Sequence, residues 1–173
     1  INNGVNGFYV NGSTGECHLL TLDERKAVLE TVVDQVKGRA DVIAHVGCVS
    51  TDQTIELGKH AKEIGADAIS AIPPFYYKFS AEEIVAHYHT IMDAIQMPMI
   101  AYNMPAMSGV ELTPELLRRL ADNRWLAGVK HTSMNLYQLE RMRKVRDDLV
   151  IFNGHDEVCL AGLAMGADGA IGS

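Results

Sequence analysis

Apolar residues along the chain fall into two alternating patterns. Short runs rich in Val, Ile and Ala occur at residues 7–10, 41–46, 67–72, 97–102, 126–130, 149–152 and 169–171, and continuous runs of this length suit strands covered on both faces. The stretches between them carry apolar residues at helical spacing. Their starts hold helix caps: Thr21 with Glu24, Ser50 with Gln53, Ser80 with Glu83, and Thr113 followed by Pro114 at the first helical position. Seven strands alternating with helices predict parallel βαβ units with right-handed crossovers, because parallel neighbours need a connection that returns along the sheet. The predicted class is α/β.

Two features favour a TIM (β/α)8 barrel over an open doubly wound sheet. The repeat spacing is even, and no Gly-x-Gly-x-x-Gly turn follows the first strand. Polar and special residues gather after the strands, at 11–16, 73–77, 102–103, 130–132 and 153–157, the end where both folds place their sites. The opening residues Ile1-Asn2-Asn3-Gly4 read as the last turn and cap of a preceding helix. The expectation is one barrel domain over 1–173, a truncated piece holding about seven of the eight strands, with the first strand and the C-terminal helices outside it.

Composition narrows the partners. With 173 residues, 47% of them hydrophobic, the chain is ample for one core and short for two. The net charge of -7, from 22 acidic and 15 basic residues without a long run of either sign, argues against nucleic acid and anionic membrane surfaces. A small-molecule substrate is the remaining expectation. Cys17, Cys48 and Cys159 are odd in number, widely spaced and flanked by apolar residues, which suggests a reducing, cytoplasmic setting rather than a disulfide framework. His87 and His89 lie two apart, on different faces of a predicted helix, and no His-x-x-x-His occurs, so no metal is expected.

Lys130 stands out because it sits in an apolar run, Trp125-Leu126-Ala127-Gly128-Val129-Lys130. Burial without a paired anion disfavours an ammonium, lowers its pKa and frees a nucleophilic amine. The alternative is a lysine that ends a strand and snorkels to water. Gly12-Ser13-Thr14-Gly15-Glu16 is either a cradle for a carboxylate or phosphate or an ordinary capped turn. Tyr102 can move a proton at the same rim or be a core tyrosine with one satisfied hydroxyl. Asp156 and Glu157 can bind sugar hydroxyls or simply start a surface helix.

In combination, Gly12-Ser13-Thr14-Gly15-Glu16, Pro74-Phe75-Tyr76-Tyr77, Tyr102-Asn103-Met104-Pro105 through Gly109, and Gly128-Val129-Lys130-His131-Thr132-Ser133 resemble the N-acetylneuraminate lyase and dihydrodipicolinate synthase superfamily of pyruvate-dependent class I aldolases. The resemblance spans essentially the whole chain. Residues 44–51 and 152–157 are especially similar to its sialic-acid-cleaving branch. It implies a lyase that cleaves N-acetylneuraminate reversibly to N-acetylmannosamine and pyruvate, with a Schiff base on Lys130 and no cofactor. Tyr102 would move the proton at the bond being cleaved, and Ser13 and Thr14 would hold the substrate carboxylate. Tyr76 would reach a neighbouring subunit's site and complete a hydroxyl relay with Ser13 and Tyr102, in a homotetramer. Thr132, Gly154, Asp156, Glu157 and Ser173 match positions that contact the sugar.

Dihydrodipicolinate synthases of this superfamily usually carry an arginine two residues after the tyrosine-motif proline, where this chain has Met107. Each missing charged hydrogen bond removes about 1.5–3 kcal/mol of recognition, which disfavours aspartate semialdehyde as a second substrate. A dihydrodipicolinate synthase, another pyruvate-dependent sugar-acid aldolase and a non-catalytic sugar-acid sensor are the alternative readings. A lysine nucleophile beside a proton shuttle counts against the sensor.

Overall fold

A computed structural model describes residues 1–173. Strands β1 (Gly7–Val10), β2 (Asp41–His45), β3 (Ala68–Ala71), β4 (Met99–Asn103), β5 (Leu126–His131), β6 (Val150–Asn153) and β7 (Gly169–Ala170) form one sheet in chain order. Every pairing is parallel. Helices α1 (Leu22–Val36), α2 (Thr51–Glu63), α3 (Ala81–Ile95), α5 (Pro114–Leu120), α6 (Leu136–Arg143) and α7 (Cys159–Ala164) connect them, with a short α4 (Pro105–Ser108) after β4. No helix is long and apolar enough to cross a membrane.

The strand order separates the two α/β architectures that periodicity leaves open. A doubly wound sheet reverses its order at a switch point, whereas this order runs from β1 to β7 without reversal. Crossovers of one hand then place all helices on one face. The other face is covered by the sheet's own curl: Thr14 Oγ1, beyond β1, lies 2.9 Å from Ser173 Oγ, beyond β7. The architecture is therefore seven strands of a (β/α)8 barrel, with β1 and β7 close but unpaired.

Side-chain alternation sorts each strand into two sets. Val10, Val42, Ala44, Ile69, Ala71, Met99, Ala101, Val129 and Ile151 belong to the buried cluster packed against the helices. The intervening residues face the barrel axis, among them Tyr9, His45, Ser70, Tyr102, Lys130 and Phe152. One alternation thus makes both the core and the site.

The caps form as their residue types require. Thr21 with Glu24 and Ser80 with Glu83 close reciprocal capping boxes, while Ser50 and Thr113 accept from the N–H of Gln53 and Leu116. Asp156–Val158, for which the start of a surface helix is one of two readings, is a single 3-10 turn, with the regular helix beginning at Cys159.

Gly128 is needed where β5 passes β6. A Cβ there meets the Val150 carbonyl oxygen at 2.2 Å and Ile100 Cδ1 at 3.1 Å. The first contact is with backbone, which cannot swing away. Gly128→Ala is expected to lower stability by about 1–3 kcal/mol through overpacking, read as a reduced urea midpoint; an unchanged midpoint contradicts this packing.

Candidate active site

Lys130 is the penultimate residue of β5 and is 7% exposed. Its Nζ lies 4.2 Å from the ring centroid of Tyr9 on β1 and 4.4 Å from that of Tyr102 on β4. Tyr102 is its register partner on the neighbouring strand. Burial pushes the lysine down from 10.5 to about 8, with the Asp156 carboxylate pulling the other way. The surroundings are aromatic rather than anionic. No salt bridge holds this ammonium, so nothing nearby fully offsets its lost hydration.

The hydroxyl of Tyr102 donates to Met104 Sδ at 2.9 Å and stands 3.5 Å from Ser13 Oγ, which is 3.5 Å from the same sulfur. Ser13, Tyr102 and Lys130 thus converge at one end of the barrel. A cavity of about 350 Å3 opens beside Ser13, lined also by His18, Ile72, Phe75 and Met107; Lys130 is not on its wall.

A second polar set lies further out on the rim. Thr14 Oγ1 meets Ser173 Oγ at 2.9 Å, and the Ser173 N–H donates to Asp156 Oδ2 at 3.0 Å. A Cβ on Gly172 would fall against the Asp156 carboxylate, so a side chain there requires that carboxylate to move. Thr132 is buried with its Oγ1 unpartnered, and a Cβ on Gly154 would lie 2.0 Å from that oxygen. Glycine at 154 thereby leaves the hydroxyl room beside the lysine strand.

Two of the expected site residues stand apart. Glu157 is exposed, its carboxylate 3.7 Å from His155 Nδ1. Tyr76 is 85% exposed in a left-handed conformation (φ 77°), packed edge-on to Tyr77 at 5.0 Å between ring centroids. A bulky residue held at positive φ on an exposed loop is strained. Neither touches Lys130 within this chain.

Three supporting residues were missed at the level of sequence. Asn103 Nδ2 donates to His131 Nδ1 at 2.9 Å, His131 Nε2 donates to the Asn135 carbonyl at 3.1 Å, and Asn103 Oδ1 accepts from the Leu112 N–H at 2.9 Å. This lock ties the ends of β4 and β5, one residue past Tyr102 and Lys130. Burial holds His131 below the usual histidine range, in keeping with a neutral ring that accepts at Nδ1. The third is Tyr9, whose hydroxyl donates to Ser70 Oγ at 2.8 Å. Both His131 and Tyr9 look like ordinary strand residues in a linear reading; the phase of Tyr9 relative to Lys130 is the signal that could have found it.

His45 adds no charge to the site. Burial and the nearby Arg25 guanidinium hold it down at about 3, so it is neutral, with Nδ1 donating to the Asn11 carbonyl at 2.8 Å. No three His, Cys, Asp or Glu side chains are grouped so as to hold a metal ion.

Among known proteins, the chain is 48% identical over 174 aligned positions to an N-acetylneuraminate lyase of Escherichia fergusonii, covering 100% of this chain and 59% of that one. The Clostridium difficile protein CdNal, solved in complex with mannosamine, superposes with a TM-score of 0.95 at 43% identity over 97% of this chain and 58% of its own. A catalytic lysine mutant of a Ruminococcus gnavus sialic acid aldolase gives a TM-score of 0.96 at 39% identity, over 99% and 57%. The chain therefore spans about three fifths of the length of these relatives. The family profile described as "Dihydrodipicolinate synthetase family" matches residues 1–173, and, with the barrel order and these relatives, the chain belongs to that family.

Proposed function

We propose that the protein carrying this chain is a carbon–carbon lyase that cleaves N-acetylneuraminate reversibly to N-acetylmannosamine and pyruvate through a Schiff base on Lys130. The observation that carries the reading is the buried amine itself, unpaired with any carboxylate and beside the hydroxyl-bearing ring of Tyr102. Relatives named N-acetylneuraminate lyase and sialic acid aldolase support the choice of sugar.

The neutral Lys130 amine adds to the C2 ketone, and loss of water leaves an iminium. Tyr102 takes the C4 hydroxyl proton as the C3–C4 bond breaks; the bonding electrons move into the iminium and give an enamine, while the C4 end departs as the aldehyde of N-acetylmannosamine. Protonation of the enamine at C3 and addition of water then release pyruvate and the free amine. The iminium is the electron sink, and it supplies what a metal or organic cofactor otherwise would. Ser13 and Thr14 hold the substrate carboxylate, and Thr132, Gly154, Asp156, Glu157 and Ser173 take the sugar hydroxyls. Tyr76 acts from a second copy of the chain to complete the relay with Ser13 and Tyr102, in a cytoplasmic homotetramer whose single barrel domain includes residues 1–173.

The lowered lysine pKa decides the rate at neutral pH. At a pKa of about 8 roughly a tenth of the amine is neutral at pH 7, against about 0.03% for an ordinary lysine. Protonation blocks attack, so imine formation is expected to rise nearly tenfold per unit below pH 8 and level off above it. Borohydride trapping of pyruvate, run so that imine formation is limiting, reads this; a flat profile from pH 6 to 9 contradicts it.

The reading as a whole is tested on the full-length protein with pyruvate and borohydride, the adduct being mapped by mass spectrometry. An adduct on Lys130 and pyruvate release from N-acetylneuraminate are expected. Absence of the adduct overturns the aldolase reading, and condensation with aspartate semialdehyde in place of sugar cleavage overturns the substrate.

A further inference from the structure

Tyr9 takes no part in the chemistry above, yet its ring face is the nearest aromatic surface to the Lys130 nitrogen, 4.2 Å from Nζ to centroid. The Tyr102 ring closes the other side at 4.4 Å, and the two rings meet edge to face at 79°, 5.8 Å apart. The nitrogen sits in the crook of the pair. We propose that Tyr9 is a positioning residue whose ring face, together with that of Tyr102, favours the cationic iminium over the neutral carbinolamine that precedes it. This rests on Lys130 being the Schiff-base lysine.

The step concerned changes the charge on nitrogen. In the carbinolamine the new C–N bond is formed and nitrogen is neutral; the hydroxyl then takes up a proton and leaves as water, the C–O bond breaks, and the nitrogen lone pair closes the C=N bond of a cationic iminium. A desolvated cation over an aromatic face is attracted to the ring's negative face, and the neutral precursor is not. The rings therefore act on the difference between the two states. An anion at this place would favour the cation too, but the surrounding side chains are aromatic.

Tyr9 is built to be immobile. Its hydroxyl donates to Ser70 Oγ at 2.8 Å, and Ser70 donates in turn to the Ile100 carbonyl at 2.8 Å. Since the Ser70 proton is already committed to that carbonyl, Tyr9 must be the donor and stay protonated. Burial pushes its phenol well up, in the same direction. Tyr9 thus meets Lys130 through its ring face and not as a phenolate. On the other side the ring packs on Gly12, where a Cβ would come within 2.8 Å of Tyr9 Cδ1. The turn that supplies Ser13 consequently also seats the aromatic surface.

The test uses the full-length protein at pH 9, where the unreacted Lys130, with its pKa of about 8, is mostly neutral, and at sub-saturating pyruvate, with the borohydride-trapped fraction on Lys130 read by intact mass. Tyr9→Leu is expected to reduce that fraction roughly five- to tenfold. Tyr9→Phe, which keeps the ring and loses the Ser70 hydrogen bond, is expected to stay within about twofold of wild type, since the attraction comes from the ring face. Phenylalanine analogues with increasing fluorination at position 9 withdraw charge from the face at nearly constant shape, and the trapped fraction is expected to fall stepwise. That series decides the matter if Tyr9→Leu does not fold. A wild-type protein without adduct overturns the Schiff-base reading beneath; a normal wild-type adduct with an unchanged Tyr9→Leu, a Tyr9→Phe as low as Tyr9→Leu, or a flat fluorination series overturns the role of Tyr9 alone.

Discussion

Lys130→Ala is expected to abolish the trapped pyruvate adduct and to lower turnover by roughly 10⁵-fold or more, the scale on which removal of a covalent nucleophile is felt. The fold is expected to survive. Lys130 makes no salt bridge and its protonated form is disfavoured by burial, with a folded pKa of about 8 against 10.5. Because the folded value is depressed, the unfolded state binds the proton more tightly, and at pH 7 the charged lysine costs the native state on the order of 3 kcal/mol. Alanine removes that cost and leaves a cavity whose penalty is of similar size. The melting temperature is therefore expected to stay close to wild type while activity vanishes. Retained turnover in a folded Lys130→Ala protein is fatal to the Schiff-base mechanism.

Tyr102→Phe separates bond cleavage from imine formation. The substitution removes a hydroxyl 2.9 Å from Met104 Sδ and 3.5 Å from Ser13 Oγ, but keeps the ring face 4.4 Å from Lys130 Nζ. The pyruvate adduct is expected to form as before. Release of pyruvate from N-acetylneuraminate is expected to slow by about 10²–10⁴-fold, the usual worth of a positioned acid–base group. Single-turnover kinetics make the comparison directly. Cleavage at the wild-type rate removes Tyr102 from the proton transfer, and loss of the adduct itself shows that the hydroxyl acts earlier than proposed.

The seven strands and the helix caps were legible because both are local. A capping box needs only Thr21 and Glu24, or Ser80 and Glu83, three residues apart. Strand ends were less legible: Asn103 and His131 extend β4 and β5 because their side chains bond to each other across the strands, a pairing with no trace in the sequence spacing. Asp156 begins a 3-10 turn instead of a regular helix, its carboxylate engaged by the backbone N–H of Ser173, seventeen residues away.

Local patterns were enough for the α/β class and for the unusual placing of a lysine in an apolar strand, since periodicity, caps and the hydrophobicity of neighbours act over a few residues. The catalytic reading of Lys130, Tyr102 and Ser13 came from the resemblance of whole motifs. Tertiary structure decided what depends on distance across the barrel. It chose sequential strand order over reversal, brought the loops beyond β1 and β7 into hydrogen-bond contact, and set Tyr9 and Tyr102 on two sides of an amine 121 and 28 residues away. The physical reason is the closing curl of the sheet. Alternation assigns a residue to the axis face, but only curvature determines which axis-facing residues meet.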